Sequence, residues 1–170
     1  MICLTSKLPI LQVGSHQISD YDTDWLHRAI QDGLIQAEID TPEIANDIYQ
    51  GVLHYLQNDC PWIPLKIEDL YKKVTKLMGK IGLEKAQSHL PIYYPEIRIS
   101  VAKILVEIQC PMEIALMKSL QQEITTLKDY GVEQIVLEEI KEAVTTIMPT
   151  KRWNKKKQSL HDEIASLSLA

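Results

Sequence analysis

Two hydrophobic periods alternate along the chain. Ile2 and Leu4, then Leu8, Ile10 and Gln12, and later His16 and Ile18 lie around a Val13-Gly14-Ser15 turn signal. This predicts a small hairpin or three-stranded ribbon. From Trp25 the apolar positions shift to helical spacing. Trp25, Leu26, Ala29, Ile30, Gly33, Leu34 and Ala37 predict a first helix of about four turns, with Asp22 or Thr23 to accept from the free amides of its first turn.

Thr41-Pro42-Glu43 reads as a helix start: a hydroxyl cap, a proline where no amide is missed, and an acid beside the positive end of the dipole. Ile44, Ile48, Val52 and Tyr55 or Leu56 form the stripe of this second helix, which runs to Asn58. Asp59-Cys60-Pro61-Trp62-Ile63-Pro64 cannot continue it, because two prolines remove donors and hold the preceding residues extended. Ile67, Leu70, Tyr71, Val74, Leu77, Met78 and Ile81 predict a third helix ending near Gly79 or Gly82. A short fourth segment, Leu83 to Leu90, stops at Pro91.

Residues 91–96, with Pro91 and Pro95, mark a boundary between halves. Beyond it Ile97, Ile99 and Val101 alternate as in a strand, while Val101, Ile104, Leu105 and Ile108 fit a helix capped by Ser100. Periodicity leaves both open. Pro111 to Asp129 predicts a helix closed by Tyr130-Gly131. Ile135 or Val136, Ile140, Val144 and Ile147 predict another, ended by Pro149, and a weakly amphipathic last helix runs from Gln158 through Leu160, Ile164 and Leu167. The expected class is mainly α (α+β): a small N-terminal β hairpin, a helical bundle and a helical C-terminal extension. The expected divisions are residues 1–90, an extension over 97–150 packed on that first half, and a basic link with a final helix over 151–170.

Composition narrows the class. Of 170 residues, 45% are hydrophobic and 24% charged, the balance of a globular protein rather than a disordered one. Cys3, Cys60 and Cys110 are too few and too scattered for a disulfide framework, which points to a reducing cytoplasm. No run is long and apolar enough to span a membrane, and the first residues lack the basic and apolar regions of a signal peptide. The expectation is therefore a cytoplasmic protein with no membrane attachment.

The formal charge of -5 is unevenly spread. Lys151, Arg152, Lys155, Lys156 and Lys157 surround Trp153 with no acid among them, so residues 1–150 carry the acidic excess. Such a cluster suits phosphates and a stacked base, or a membrane surface. Such a cluster is more often a solvated link paired with the acidic body. That body repels a polyanion and seven residues offer few phosphate contacts, so nucleic acid is the lesser expectation.

Candidate chemistry is sparse. His54 and Cys60 are the nearest soft ligands, without Cys-x-x-Cys or His-x-x-x-His, so no metal is expected. Gly14-Ser15-His16 lacks a nucleophile elbow, and Glu138-Glu139 and Glu68-Asp69 sit where a solvated helix face is expected. Six dispersed glycines form no phosphate-cradling loop. The chain reads as a non-enzyme without a cofactor.

One arrangement goes beyond generic helical packing. The Gly14 hairpin precedes Tyr21-Asp22-Thr23-Asp24-Trp25-Leu26-His27-Arg28-Ala29-Ile30, a helix opening at Thr41-Pro42, a third helix around Ile67-Glu68-Asp69-Leu70, and Gly82-Leu83-Glu84-Lys85-Ala86. This order resembles the ATP-cone domain, the regulatory nucleotide-binding module of many ribonucleotide reductases and of their transcriptional repressor. Tyr21, Asp22, Leu26, Ala29 and Ile30 stand where that family's aromatic-Asp-x-x-Lys-Leu/Ile-x-x-Ala-Ile pattern expects them. The family's hairpin bases are replaced by Leu11-Gln12-Val13, its helix lysine by Trp25, and the stretch from Gly14 to Tyr21 is longer.

The resemblance covers the first half of the chain and implies a nucleotide-regulated fold. The replaced cations remove the main attraction for a triphosphate. The expected function is then a non-catalytic regulatory or adaptor role through a protein partner or self-association. The alternatives are an ATP- or dATP-responsive module that gathers Lys7, His27, Arg28 and Lys66, and a nucleic-acid-associated protein using the C-terminal basic cluster.

Overall fold

The hairpin consists of two short antiparallel strands, β1 (Leu11–Val13) and β2 (His16–Ile18), with Leu11 opposite Ile18 and Val13 opposite His16. Gly14 turns it with φ 58, a conformation that costs glycine little. The computed structural model describes residues 8–61 and 63–169. The expected contribution of Ile2 and Leu4, and the candidate Lys7, lie outside these. A third strand, β3 (Leu65–Lys66), joins β1 in parallel. It arrives from the segment after Pro64, and the Leu65 amide donates to the Ile10 carbonyl at 2.7 Å.

Four helices complete the first compact unit, residues 1–95. α1 (Asp24–Gln36) buries Trp25, Leu26, Ala29, Ile30, Gly33 and Leu34. Neither Thr23 nor Thr41 acts as the expected hydroxyl cap. Thr23 instead shares a hydrogen bond with the Tyr49 hydroxyl, and Asp22 Oδ1 accepts from the Asp24 amide at 3.2 Å. α2 (Pro42–Asn58) buries Ala45, Ile48, Val52 and Leu56, so its inner face takes Ala45 rather than Ile44 and Leu56 rather than Tyr55. α3 (Ile67–Lys80) buries Ile67, Leu70, Tyr71, Val74 and Met78 and leaves Ile81 exposed beyond its end. α4 (Glu84–His89) contributes Ala86. α1 packs on α2 and α4, and α3 on α4 and β1.

The second compact unit, residues 96–170, resolves the ambiguity after the prolines. Both periods are real and meet at Ser100: β4 is Ile97–Ser100 and α5 is Val101–Ile108. Ser100 Oγ accepts from the Lys103 amide at 3.1 Å, capping the helix as expected. α6 (Glu113–Tyr130) buries Leu116, Leu120, Ile124 and Leu127 and ends at Gly131 with φ 98. Residues 135–138, expected as the first turn of a helix, are instead strand β5 (Ile135–Glu138), parallel to β4 with Ile97 opposite Ile135 and Ser100 opposite Glu138.

The second half is therefore not purely helical. The buried Ile97 and Ile99 alternate with outward Arg98, and that alternation selects a paired strand. α7 (Ile140–Ile147) follows Glu139, which takes a left-handed φ of 59, and α8 (Lys155–Leu167) starts earlier than Gln158. α5 packs on α6 and α7, and α8 on α6 and α7. The fold is mainly α with small β elements, and among the described residues no helix is long and apolar enough to cross a membrane.

Candidate functional site

In the first unit the proposed anion ligands face separate partners. His27, half-buried on α1, lies 4.8 Å from the Tyr49 ring of α2, ring centre to ring centre. Arg28, its neighbour, turns the other way and sits 5.6 Å from the centre of the Tyr93 ring, beyond α4. The Tyr93 hydroxyl donates to Asp32 Oδ2 at 2.7 Å, which brings a carboxylate to the ring that Arg28 covers. Lys66 is exposed at the N-terminal cap position of α3 and is paired through its backbone with Gln12. Among the described residues no hydrogen bond or ion pair links His27, Arg28 and Lys66.

The departures from the family pattern are also occupied. Trp25, where the resemblance expects a lysine, is only 2% exposed. Its indole N–H donates to the Asp22 carbonyl at 2.8 Å and its ring lies 6.1 Å from that of Tyr71. Gln12 closes its carboxamide on its own turn, donating to the Gly14 carbonyl at 3.0 Å. The hairpin therefore presents a neutral, self-satisfied side chain where the family carries bases.

A cleft of about 450 Å³ opens between α3 and residues 87–92. Tyr71, Thr75 and Lys76 line one wall and Gln87, Leu90 and Ile92 the other. Its size is that of small-molecule sites, but its hydroxyls are committed. The Tyr71 hydroxyl donates to the Tyr93 carbonyl at 2.7 Å, and Thr75 Oγ1 donates to the Tyr71 carbonyl at 2.6 Å. Burial drives the Tyr71 pKa far above its ordinary value, so this phenol stays protonated at neutral pH. Lys72 pairs with Asp69 at 3.3 Å, and both are largely exposed. Among the described residues of this cleft no hydrogen bond joins a nucleophile to a base. On the exposed side of the unit Lys73 Nζ donates to the Tyr55 hydroxyl at 2.6 Å, and that bond raises the lysine pKa.

The second unit separates the five C-terminal bases. Lys151, Arg152, Lys155 and Lys156 are exposed, whereas Lys157 is 2% exposed and donates to the Thr150 carbonyl at 2.9 Å. Lys157 therefore braces the loop and is withdrawn from the surface the sequence assigned to it. Lys157 shares the buried face of α8 with Leu160 and Ile164 at helical spacing. Trp153 is 42% exposed, with its indole N–H donating to Gln158 Oε1 at 2.7 Å.

Glu138 and Glu139, expected on a solvated helix face, close the strand instead. Arg98 donates to Glu96 at 3.0 Å and to Glu138 at 3.2 Å, and Ser100 Oγ donates to Glu139 Oε2. Among the described residues no group of three or more His, Cys, Asp or Glu side chains is placed to hold a metal ion. Comparison with protein-family models, with curated proteins and with solved structures gives no match.

Proposed function

We propose that this chain acts by binding another protein, as a regulatory or adaptor component whose first unit is a degenerate ATP-cone-like module. The observation that carries this reading is the exposure of Val106, Met112 and Ile114, which are 75, 58 and 78% exposed around the turn from α5 to α6. Large apolar side chains gathered in water mark surfaces that another molecule covers. Each gains roughly 1.5–3 kcal/mol when fully buried.

The order of the elements supports the ATP-cone-like component. The succession of a glycine-turned hairpin, α1 with Leu26, Ala29 and Ile30 inward, α2 opening at Pro42 and α3 opening at Ile67 follows the order the resemblance implies. Against a retained triphosphate pocket stand Trp25 in its core position and the engagement of His27 and Arg28 with tyrosines. Half-buried free thiols at Cys60 and Cys110 suit a reducing compartment, which we take to be the cytoplasm.

The test uses the full chain with a photo-crosslinking amino acid at Ile114, expressed in cells. The expected result is one discrete adduct, either with a second copy or with another protein, lost when Val106 is replaced by Glu. Absence of any adduct, together with saturable heat from micromolar ATP or dATP in calorimetry, would replace this reading with the nucleotide-responsive one.

A further inference from the structure

The Trp153 segment of the second unit is built as a fixed platform. The indole N–H donates to Gln158, whose amide donates in turn to Asp162 Oδ1 at 2.7 Å. The His161 ring stands nearly perpendicular to the indole with ring centres 6.1 Å apart, and Lys157 Nζ lies 5.8 Å from the ring centre. Lys157 is itself fastened to Thr150, and its amide donates to the Asn154 cap at 3.0 Å. The ring is thus held from several directions while 42% of the residue remains in solvent.

Four exposed cations flank Trp153 in the chain. Lys151, Arg152, Lys155 and Lys156 are exposed, and among the described residues none of their side chains makes an ion pair or hydrogen bond. Residues 143–161 contain no Asp or Glu. Two of the lysines stand in the first turn of α8, at the positive end of the helix dipole, where acids are favoured and none is present. The second unit has 10 Lys and Arg against 11 Asp and Glu, so it lacks the strong acidic excess that would repel a polyanion.

We infer that this surface binds single-stranded nucleic acid, with a base stacked on Trp153 and the flanking phosphates held by Lys151, Arg152, Lys155 and Lys156. The inference is independent of the role proposed above. A braced half-exposed indole between unpaired cations is what stacking with backbone neutralisation requires. An acidic peptide would use the cations and leave the ring idle. A duplex keeps its bases stacked and offers the ring nothing. A membrane surface favours several protruding apolar groups, and this segment has one aromatic, tied back to Gln158.

The test is fluorescence anisotropy of the full chain with a labelled oligothymidylate of about 15 nucleotides. Matched duplex DNA and phosphatidylserine vesicles serve as rival probes. Four phosphate contacts predict an affinity that falls about 50-fold between roughly 50 and 200 mM salt. Trp153→Ala weakens binding by about 5- to 150-fold with the salt slope kept, and Trp153→Phe retains most of it. The pair Lys155→Ala and Lys156→Ala, both fully outside the core, roughly halves the slope and decides the matter even if Trp153→Ala fails to fold. No saturable binding at about 50 mM salt, a slope unmoved by the lysine pair, equal affinity for duplex, or binding to vesicles alone would each overturn the inference.

Discussion

Tyr71 and Tyr93 exchange two hydrogen bonds through one hydroxyl: the phenol of Tyr71 donates to the Tyr93 carbonyl at 2.7 Å and accepts from the Tyr93 amide at 2.8 Å. One side chain on α3 thereby satisfies both backbone groups of a residue in a proline-flanked segment that is neither strand nor helix. The segment in turn carries the ring over which Arg28 lies. Removing the hydroxyl should therefore be felt well beyond α3.

Tyr71→Phe is expected to destabilise the first unit by about 1–3 kcal/mol, because it removes two hydrogen bonds from a part-buried donor and a part-buried acceptor. Tyr55→Phe removes a hydroxyl of similar chemistry whose partner, Lys73, is exposed. Its cost is expected within about 0.5 kcal/mol. Urea denaturation of the two variants measures the contrast, and equal midpoints would deny that the part-buried Tyr71 bonds contribute more than the exposed one.

Alkaline pH should act on the same elements. Burial, with the nearby Cys60, raises the pKa of Tyr21 above its ordinary 10, and burial does the same for Tyr71. The folded chain then keeps protons that the unfolded chain releases. This contribution is complete below about pH 10 and is lost as pH climbs towards the folded-state values. Thermal melting is expected to be level from about pH 8 to 9 and to fall above about pH 10, more steeply in the natural chain than in Tyr71→Phe.

Two helical glycines should respond oppositely to alanine. At Gly51, exposed in α2, an added methyl meets nothing within 4 Å. Gly51→Ala is expected to stabilise by about 0.5–1 kcal/mol through helix propensity alone. At Gly33, buried in α1, the methyl would stand 3.2 Å from Leu90 Cα and 3.3 Å from Leu90 Cδ1. A backbone atom ahead of Pro91 does not yield as a side-chain tip does. Overpacking then cancels or exceeds the propensity gain, and Gly33→Ala is expected to be about 0–2 kcal/mol less stable by the same denaturation measurement.

Ser100 joins the ends of the two parallel strands to the helices that follow them. Its oxygen accepts from the Lys103 amide, and its hydroxyl donates to Glu139, which precedes α7 in a left-handed conformation. Ser100→Ala is expected to cost the second unit about 0.5–2 kcal/mol, while Ser100→Thr, which keeps both bonds and suits a strand end, should cost much less. Hydrogen exchange at the Lys103 amide should quicken in the alanine variant and not in the threonine one.

Much of this architecture is local and was open to reading. The apolar spacing that set out α1, α3 and α6 survives in their buried faces, and Gly14 and Gly131 turn the chain with positive φ where a hairpin and a helix end were expected. Errors gathered where short apolar runs fit two periods. Ile135 to Glu138 read as a helical turn because Val136, Ile140, Val144 and Ile147 share a helical stripe, but pairing with β4 supplied hydrogen bonds that a frayed helix end lacks. The candidate sites were harder to read still. Five consecutive-looking bases are alike in a linear chain, and only the packing of α8 on α6 and α7 makes Lys157 a core brace while its neighbours face water.

Residue order alone thus dictated the helical class, the hairpin turn and the proline-rich interruption, since these depend on nearest neighbours along the backbone. Whether His27 and Arg28 would meet across one anion or part to Tyr49 and Tyr93 was settled by residues distant in the chain, whereas the clamp of Gln158 on Trp153 spans only five residues. Local propensities can start an element and stop it. They carry no information about which faces come together, because that choice belongs to burial of apolar surface over the whole unit.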